Sequence, residues 1–253
     1  MKIKVLSSGS KGNSTLVMTD NVKLLIDVGM NYQYIEKELT TVGISPFDIT
    51  HILITHTHSD HVKGLKTFLK KTGIHVSIPY DMKEEMSEIV NEDLIDYIDD
   101  ESVFTDLSVS LIHTSHDTSS SVGFIINDEK SSLVYVTDTG YINRKYLKRI
   151  GNKSVYIMES NHDEEMLMEG PYPYYLKQRV ISDSGHLSNK MASKYLSTAV
   201  GEKTKYIILA HLSEKNNTEE LALDALTKRL EDTCFNGKLL IARQNESLEL
   251  IEV

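Results

Sequence analysis

Residues 49–61 read Ile-Thr-His-Ile-Leu-Ile-Thr-His-Thr-His-Ser-Asp-His and join an apolar run to a dense group of potential metal ligands. The run Ile49 to Ile54 predicts a buried strand. Four potential ligands follow it within six residues: His56, His58, Asp60 and His61. Histidine is the commonest neutral nitrogen ligand of metals, and aspartate adds a hard carboxylate. One ion does not easily use all four groups, so the pattern predicts two metal positions at a strand end. The alternative is a polar loop that happens to contain histidines.

The rest of the chain alternates between strand-like and helix-like segments, which predicts an α/β protein. The apolar runs that predict strands are Ile3 to Leu6, Thr15 to Met18, Lys23 to Ile26, Ile49 to Ile54, Val109 to Ile112, Gly123 to Ile126, Leu133 to Val136, Val155 to Met158 and Tyr206 to Leu209. Helical spacing or capping residues predict helices over Tyr32 to Thr41, Val62 to Lys71, Ser188 to Ala199 and from Thr218 onward. This order suggests sheets covered by helices, but it does not choose between a doubly wound sheet and a helix-covered sandwich.

Composition excludes several classes of protein. The chain has 253 residues, of which 40% are hydrophobic and 25% charged, too apolar for a disordered protein. Cys234 is the only cysteine, so a disulfide framework is excluded and a reducing compartment, the cytoplasm, is expected. No apolar run approaches the roughly 18 residues of a membrane span, and no membrane partner is expected. No linker divides the sequence, which predicts a single domain over residues 1–253.

The pattern His-x-His-x-Asp-His at residues 56–61 resembles the signature of the metallo-β-lactamase superfamily. This resemblance implies an αββα four-layer sandwich with a two-metal site at one edge of the sheets. It also implies three further ligands at strand ends, for which His116, Asp138 and His211 arrive in the expected order. His113 competes with His116, but its place within a strand favours a packed core residue.

The resemblance also implies how the ligands are divided between two divalent ions. His56, His58 and His116 would hold one ion. Asp60, His61 and His211 would hold the other, and Asp138 would bridge the two. Neutral imidazoles and carboxylates suit zinc, the first choice, or manganese.

Further motifs across the chain are similar to those of the YycJ/WalJ group of this superfamily. They are Ser8-Gly9-Ser10-Lys11-Gly12-Asn13, Leu25-Ile26-Asp27-Val28-Gly29, Thr137-Asp138-Thr139-Gly140-Tyr141, Glu159-Ser160-Asn161-His162-Asp163, Leu176-Lys177-Gln178-Arg179, Ser184-Gly185-His186-Leu187-Ser188-Asn189 and His211-Leu212-Ser213-Glu214-Lys215-Asn216-Asn217. Members of that group are regarded as DNA exonucleases in some bacteria. The phage anti-Pycsar proteins, which hydrolyse cyclic mononucleotides, are related enzymes of this size. Ser121 stands where a proline is expected, at no ligand position.

Three of these segments have two interpretations each. Residues 8–13 resemble a phosphate-binding nest but lack the P-loop spacing, which favours a turn between strands. His162 is either a residue that orients a metal ligand or a surface residue. His186 lies where related phosphodiesterases place a histidine that contacts phosphate or donates a proton, with a helix-capping loop as the alternative.

The function implied is a two-metal phosphodiesterase in which a metal-bridging hydroxide attacks a nucleotide phosphodiester and Asp60 and His186 are catalytic residues. The net charge of −10 disfavours a long polyanion, so a 3′,5′-cyclic mononucleotide in phage counter-defence is the preferred small substrate. A 5′–3′ DNA exonuclease is the alternative. A thioester or lactam hydrolase and a non-catalytic binding module are further alternatives, and the related hydrolases suggest a homodimer.

Overall fold

The computed structural model describes residues 1–253 and contains two mixed β-sheets of seven strands each. The first sheet has the strand order β14-β1-β2-β3-β4-β5-β6. Its strands are β1 Lys2–Ser7, β2 Ser14–Met18, β3 Lys23–Ile26, β4 His51–Leu53, β5 Val76–Pro79, β6 Ile95–Ile98 and β14 Ile251–Glu252. The pairs from β14 to β3 are antiparallel and those from β3 to β6 are parallel.

The second sheet has the same plan, an antiparallel half joined to a parallel half, with the strand order β13-β12-β11-β10-β9-β8-β7. Its strands are β7 Glu101–Phe104, β8 Leu107–His113, β9 Val122–Asn127, β10 Ser132–Val136, β11 Val155–Glu159, β12 Tyr206–Ala210 and β13 Lys238–Ile241. Strands β7 to β10 pair antiparallel, and β10 to β13 pair parallel.

Nine α-helices accompany the sheets. They are α1 Tyr32–Thr40, α2 Ser59–Val62, α3 Leu65–Thr72, α4 Lys83–Ile89, α5 Arg144–Leu147, α6 Glu164–Glu169, α7 Tyr174–Ile181, α8 Asn189–Ala199 and α9 Glu219–Leu230. No helix is both long and apolar enough to cross a bilayer.

Alternating side chains of the second sheet pack into two different cores. Leu133 and Tyr135 of β10 join the larger apolar cluster, which the first sheet and helices α1 and α3 also line. Val134 and Val136 point the other way, into a cluster shared with α8 and α9. Both faces of this sheet are therefore covered, which explains why its strands read as continuous apolar runs. The layers form the αββα sandwich that the sequence resemblance implied.

Every strand and helix predicted from the sequence is present, and most of the boundaries differ by one or two residues. The helix expected from Val62 to Lys71 is divided at Lys63 and Gly64, because the Gly64 amide donates to the Val28 carbonyl at 2.8 Å rather than continuing a single helix. The strand expected from Ile49 to Ile54 is shorter, His51–Leu53. Five strands were missed: β5, β6, β7, β13 and β14.

Candidate metal centre

The predicted ligands meet at one edge of the two sheets because each follows the end of a strand. The loop after β4 carries the four residues of the His-x-His-x-Asp-His pattern. His116 follows β8, Asp138 follows β10, and His211 follows β12, all in the second sheet. All seven predicted ligands therefore come together, four supplied by the first sheet and three by the second.

Three non-glycine residues at this edge adopt the left-handed backbone conformation directly after a strand. They are Asp27 with φ 62°, Asp138 with φ 52° and His211 with φ 54°. Such conformations are uncommon outside glycine and persist only where the surrounding structure holds them. Each of these turns aims a carboxylate or an imidazole into the same cluster, so the backbone strain coincides with the site.

The first group of ligands consists of three histidines. Nitrogens of His56, His58 and His116 all lie within 4.8 Å of one another. The shortest separation, 3.1 Å, joins His116 Nε2 to His58 Nδ1. Three converging imidazole nitrogens form a donor set typical of a divalent transition metal.

The second group combines a carboxylate with two histidines. His61 Nε2 and His211 Nε2 each lie 3.5 Å from Asp60 Oδ2. Asp138 lies between the two groups, since Oδ2 is 3.2 Å from His61 Nε2 and Oδ1 is 3.9 Å from His116 Nε2. A carboxylate in this position can reach ions in both groups.

Several of these atoms are buried without a hydrogen-bond partner. They are His56 Nε2, Asp138 Oδ2 and His211 Nε2. Buried polar atoms are almost always hydrogen-bonded, because an unpaired one loses its interaction with water and gains nothing in return. Unpaired lone pairs that converge with imidazoles and carboxylates are satisfied by a cation, so the residues present fit divalent metal binding.

The opposite ring nitrogens of the histidines are held by the protein. Asp27 Oδ2 is 2.8 Å from His61 Nδ1, and Glu159 Oε1 is 3.0 Å from His211 Nδ1. Thr55 Oγ1 is 3.1 Å from His56 Nδ1. A partner on Nδ1 fixes the ring orientation and leaves Nε2 free for a metal.

The carboxylates of the cluster raise the pKa of the two histidines nearest to them, His61 and His211, whereas burial lowers the pKa of His56 and His116. Burial lowers the pKa of His61, but the carboxylates of Asp27 and Asp138 outweigh it and raise this pKa well above its ordinary value. Burial raises the pKa of Asp138, but the neighbouring His211 and His61 hold it well below its usual range. Metal binding would replace these protons as the charge that balances the carboxylates.

The comparison with protein families agrees with this geometry. Residues 8–211 match the metallo-beta-lactamase superfamily. The chain belongs to that superfamily. A crystal structure of the metallo-beta-lactamase fold protein YhfI from Bacillus subtilis has a TM-score of 0.73 at 16% identity and covers 98% of this chain and 99% of that one, which shows the shared fold.

Two relatives within the superfamily show which of its members this chain resembles in sequence. Exodeoxyribonuclease YycJ of Bacillus anthracis is 34% identical over 240 residues, 93% of this chain and 91% of that protein. The anti-Pycsar protein Apyc1 of Saccharibacillus brassicae is also 34% identical, but over 74 residues, 27% of this chain and 29% of that protein. The chain is thus a metallo-β-lactamase-fold, metal-dependent hydrolase similar to YycJ over nearly its full length.

The structure also shows where His113, His162 and His186 lie relative to this metal centre. His186 joins the cluster, since its Nδ1 lies 2.7 Å from Glu159 Oε1. His162 is buried at 2% exposure, so its interpretation as a surface residue is wrong. His113 lies outside the centre as expected, but it is not a core residue: its side chain is 42% exposed and its Nε2 lies 2.9 Å from Asp100.

The loop of residues 8–13 is the expected turn between β1 and β2, and it also contacts the ligands. Asn13 Nδ2 lies 3.0 Å from His61 Nε2 and 3.2 Å from Asp60 Oδ2. The hydroxyl of Ser8 accepts a hydrogen bond from the His211 amide at 2.8 Å. The loop therefore supports both halves of the centre.

Asp27 and Glu159 belong to two of the sequence motifs quoted above, but their roles become visible only in the structure. Each is fully buried and stands where an apolar strand ends, the same position as the predicted ligands. Glu159 accepts from the backbone amides of Thr139 and Leu187 as well as contacting two histidines. A lone acidic residue at the end of an apolar strand was the signal that could have identified them.

A cavity of about 170 Å³ opens beside the centre. Its walls include His116, His186 and His211 from the cluster. Another part of the lining comes from the segment before and within α7, with Tyr172, Leu176, Arg179 and Val180. Side chains of α7 and histidines of the cluster therefore line the same cavity.

Proposed function

We propose that this protein is a metal-dependent phosphodiesterase that removes nucleotides from DNA ends, an exodeoxyribonuclease. The observation that carries the proposal is its similarity to exodeoxyribonuclease YycJ over 93% of this chain and 91% of the relative. The similarity to Apyc1 spans only 27% of this chain. The preference for a cyclic mononucleotide, which rested on net charge, is accordingly reversed. The 5′–3′ direction stays a prediction.

Seven residues are proposed as ligands of two divalent ions, with zinc preferred over manganese. One ion would be held by His56, His58 and His116, and the other by Asp60, His61 and His211, while Asp138 contacts both. When bound, such ions neutralise charge on phosphate oxygens and make water nucleophilic at neutral pH. The buried, unpartnered nitrogens and carboxylate oxygen of the two groups support this assignment.

His186 is proposed to hold a proton for the departing oxygen. Its Nδ1 is occupied by Glu159 Oε1 at 2.7 Å, which leaves Nε2 as the ring nitrogen for a ligand in the cavity. Burial lowers the pKa of His186, but the Glu159 carboxylate outweighs it and raises this pKa above its ordinary value. A protonated imidazole beside the scissile bond can donate to a leaving alkoxide or contact a phosphate oxygen.

The proposal is tested by hydrolysis of a substrate panel with metal-loaded protein. The panel contains single-stranded DNA, double-stranded DNA, 3′,5′-cyclic nucleotides, a glutathione thioester and nitrocefin. We expect release of mononucleotides from DNA ends, with loss on addition of a chelator. Hydrolysis of cyclic nucleotides without DNA cleavage would restore the alternative, and cleavage of the thioester or nitrocefin alone would contradict phosphodiester chemistry.

Matched variants connect the activity to the centre. Asp60→Ala and His116→Ala should each abolish hydrolysis, because each removes a proposed ligand. His113→Ala is the control for His116→Ala, since His113 lies three residues earlier but faces Asp100 outside the centre. Full activity in Asp60→Ala would contradict the two-metal proposal, whereas His113→Ala should retain the activity of the unmodified protein.

A further inference from the structure

The segment before and within α7 that lines the cavity combines aromatic side chains with a partly free arginine. Residues 171–175 read Pro-Tyr-Pro-Tyr-Tyr and lead into α7. Tyr172, Leu176, Arg179 and Val180 line the cavity. Apart from Tyr172, which precedes the helix, they recur at helical spacing, so one face of α7 borders the opening.

Arg179 is the cationic side chain in the cavity wall. Its Nε donates to Asp117 Oδ2 at 2.7 Å, and its Nη2 lies 2.5 Å from the same oxygen. A guanidinium has five N–H donors, and no other protein acceptor is bonded to Arg179, whose side chain is 57% exposed. Asp117 Oδ1 in turn lies 3.4 Å from His116 Nε2. The free donors of Arg179 are thus held next to the centre, where a phosphate would arrive.

The cavity is too small to enclose a nucleotide. At about 170 Å³ it falls below the roughly 300–1,000 Å³ of pockets that bury a drug-sized ligand. A phosphate fits, but the attached base must lie at the rim. Tyr172 is the aromatic residue of the wall, and Lys215 Nζ lies 5.8 Å from its ring centroid on the same side of the molecule.

We propose that Tyr172 and Arg179 form the subsite for the terminal nucleotide of a DNA strand, with Tyr172 stacking on the terminal base and Arg179 contacting its phosphate. The inference rests on the proposed nuclease function and adds the residues that bind the terminal nucleotide. Bases stack on aromatic side chains without regard to sequence, because every base has a π-face.

The stacking contact is tested with oligonucleotides that lack the terminal bases. The substrates are a single-stranded oligonucleotide and the same strand with two abasic nucleotides at the cleaved end, compared by kcat/KM. We expect the unmodified protein to lose about tenfold on the abasic strand. Tyr172→Leu should lose about tenfold on the normal strand and show no further loss on the abasic one, whereas Tyr172→Phe should behave as the unmodified protein.

Tyr174→Leu is the matched control. Tyr174 is 72% exposed and lies two residues from Tyr172, on the face of α7 opposite the residues that line the cavity. Its replacement should leave the abasic ratio unchanged. An equal loss in Tyr174→Leu, or an abasic ratio of one for the unmodified protein, would overturn the subsite. The comparison of the normal and abasic strands with the unmodified protein needs no substitution, so it does not depend on the folding of a variant.

The phosphate contact is tested by salt dependence. Each phosphate contact on a single strand contributes about 0.7 to the slope of log affinity against log salt, so Arg179→Gln should reduce that slope by about 0.7. An unchanged slope with a normal metal content would overturn the role of Arg179. Absence of DNA cleavage by the unmodified protein is a different result, because it would remove the proposed nuclease function itself.

Discussion

Glu159 is the residue on which the orientation of two histidines of the centre depends. Its Oε1 contacts His186 Nδ1 at 2.7 Å and His211 Nδ1 at 3.0 Å. Glu159→Gln keeps the shape but removes the charge, so both rings lose their anionic partner. We expect kcat to fall about 10–100-fold, the range found when a partner of a metal ligand is removed. Steady-state kinetics and metal analysis of the variant measure this, and an unchanged kcat would contradict the role.

Asp27 provides the matched comparison, because it contacts a ligand but not His186. Its Oδ2 lies 2.8 Å from His61 Nδ1. Asp27→Asn should lower the affinity for metal about 10–100-fold, since His61 loses the carboxylate that fixes its ring. At saturating metal the kcat of Asp27→Asn should recover, whereas that of Glu159→Gln should not. If saturating metal restored the kcat of both variants, Glu159 would act only through its contact with His211.

His162 predicts a pH dependence of stability. It is buried, its Nδ1 has no hydrogen-bond partner, and burial lowers its pKa to about 4. The unfolded chain binds a proton at a pKa of about 6.5. The folded state is therefore destabilised by about 1.4 kcal/mol per pH unit as pH falls from about 6.5 to 4, and stability is retained above 6.5.

The His162→Phe variant tests this assignment because it keeps a ring but removes the titration. Urea unfolding of both proteins in chelator, at pH 7.5, 6.0 and 5.0, measures the difference in free energy. We expect the free energy of unfolding of the unmodified protein to fall relative to that of His162→Phe as the pH drops below 6.5. A difference that is constant over this range would show that His162 does not contribute.

At the scale of elements, a continuous apolar run made a strand such as β10 predictable from the sequence. Strand β10 is covered on both faces and reads as an apolar run, so its sequence is sufficient. Strand β7, at an edge, alternates exposed and half-buried residues, and the edge strand β14 has only two residues, so neither carries a clear pattern. Four of the proposed ligands were predictable because one motif groups them, whereas the pairing of Glu159 with His211 depends on two strands that lie far apart in sequence.

Backbone contacts between three loops position the ligand-bearing helix α2. The Val28 amide donates to the His61 carbonyl at 2.8 Å, and the Asn13 amide donates to the Asp60 carbonyl at 2.7 Å. Gly29 lies between these loops, where a Cβ atom would stand 1.7 Å from the Asp60 carbonyl oxygen. A side chain at this position therefore requires the loops to separate.

Gly29→Ala should destabilise the protein by about 1–3 kcal/mol or more and reduce metal affinity, because the forced shift moves Asp60 and His61. Gly151→Ala is the control, since the nearest atom to its Cβ would be 3.5 Å away, and its effect should stay within about 0.5 kcal/mol. Denaturant unfolding and metal titration of both variants measure the effects. Equal stability of the two variants would show that the loops adapt without cost.

At the scale of the whole molecule, the net charge of −10 and the metal centre have to be considered together. Two divalent ions would place four positive charges at one edge of an acidic protein, so an anionic group is attracted there while the remaining surface repels a long polyanion. This charge distribution is compatible with a nuclease that holds only the end of a strand. It requires few cationic residues beyond Arg179 at the cavity.

The centre also joins the two sheets, because the loop after β4 in the first sheet and the strand ends of the second both carry proposed ligands. Metal that binds only the folded state stabilises it by about 2.7 kcal/mol at a free concentration 100 times Kd. For a chain of this size, that corresponds to a rise in Tm of about 5–10 °C. Thermal unfolding with metal and with chelator should show this difference, and Asp138→Asn, which removes the charge next to both groups, should reduce it. Identical Tm values with metal and with chelator would show that the two halves of the sandwich are held together without the ions.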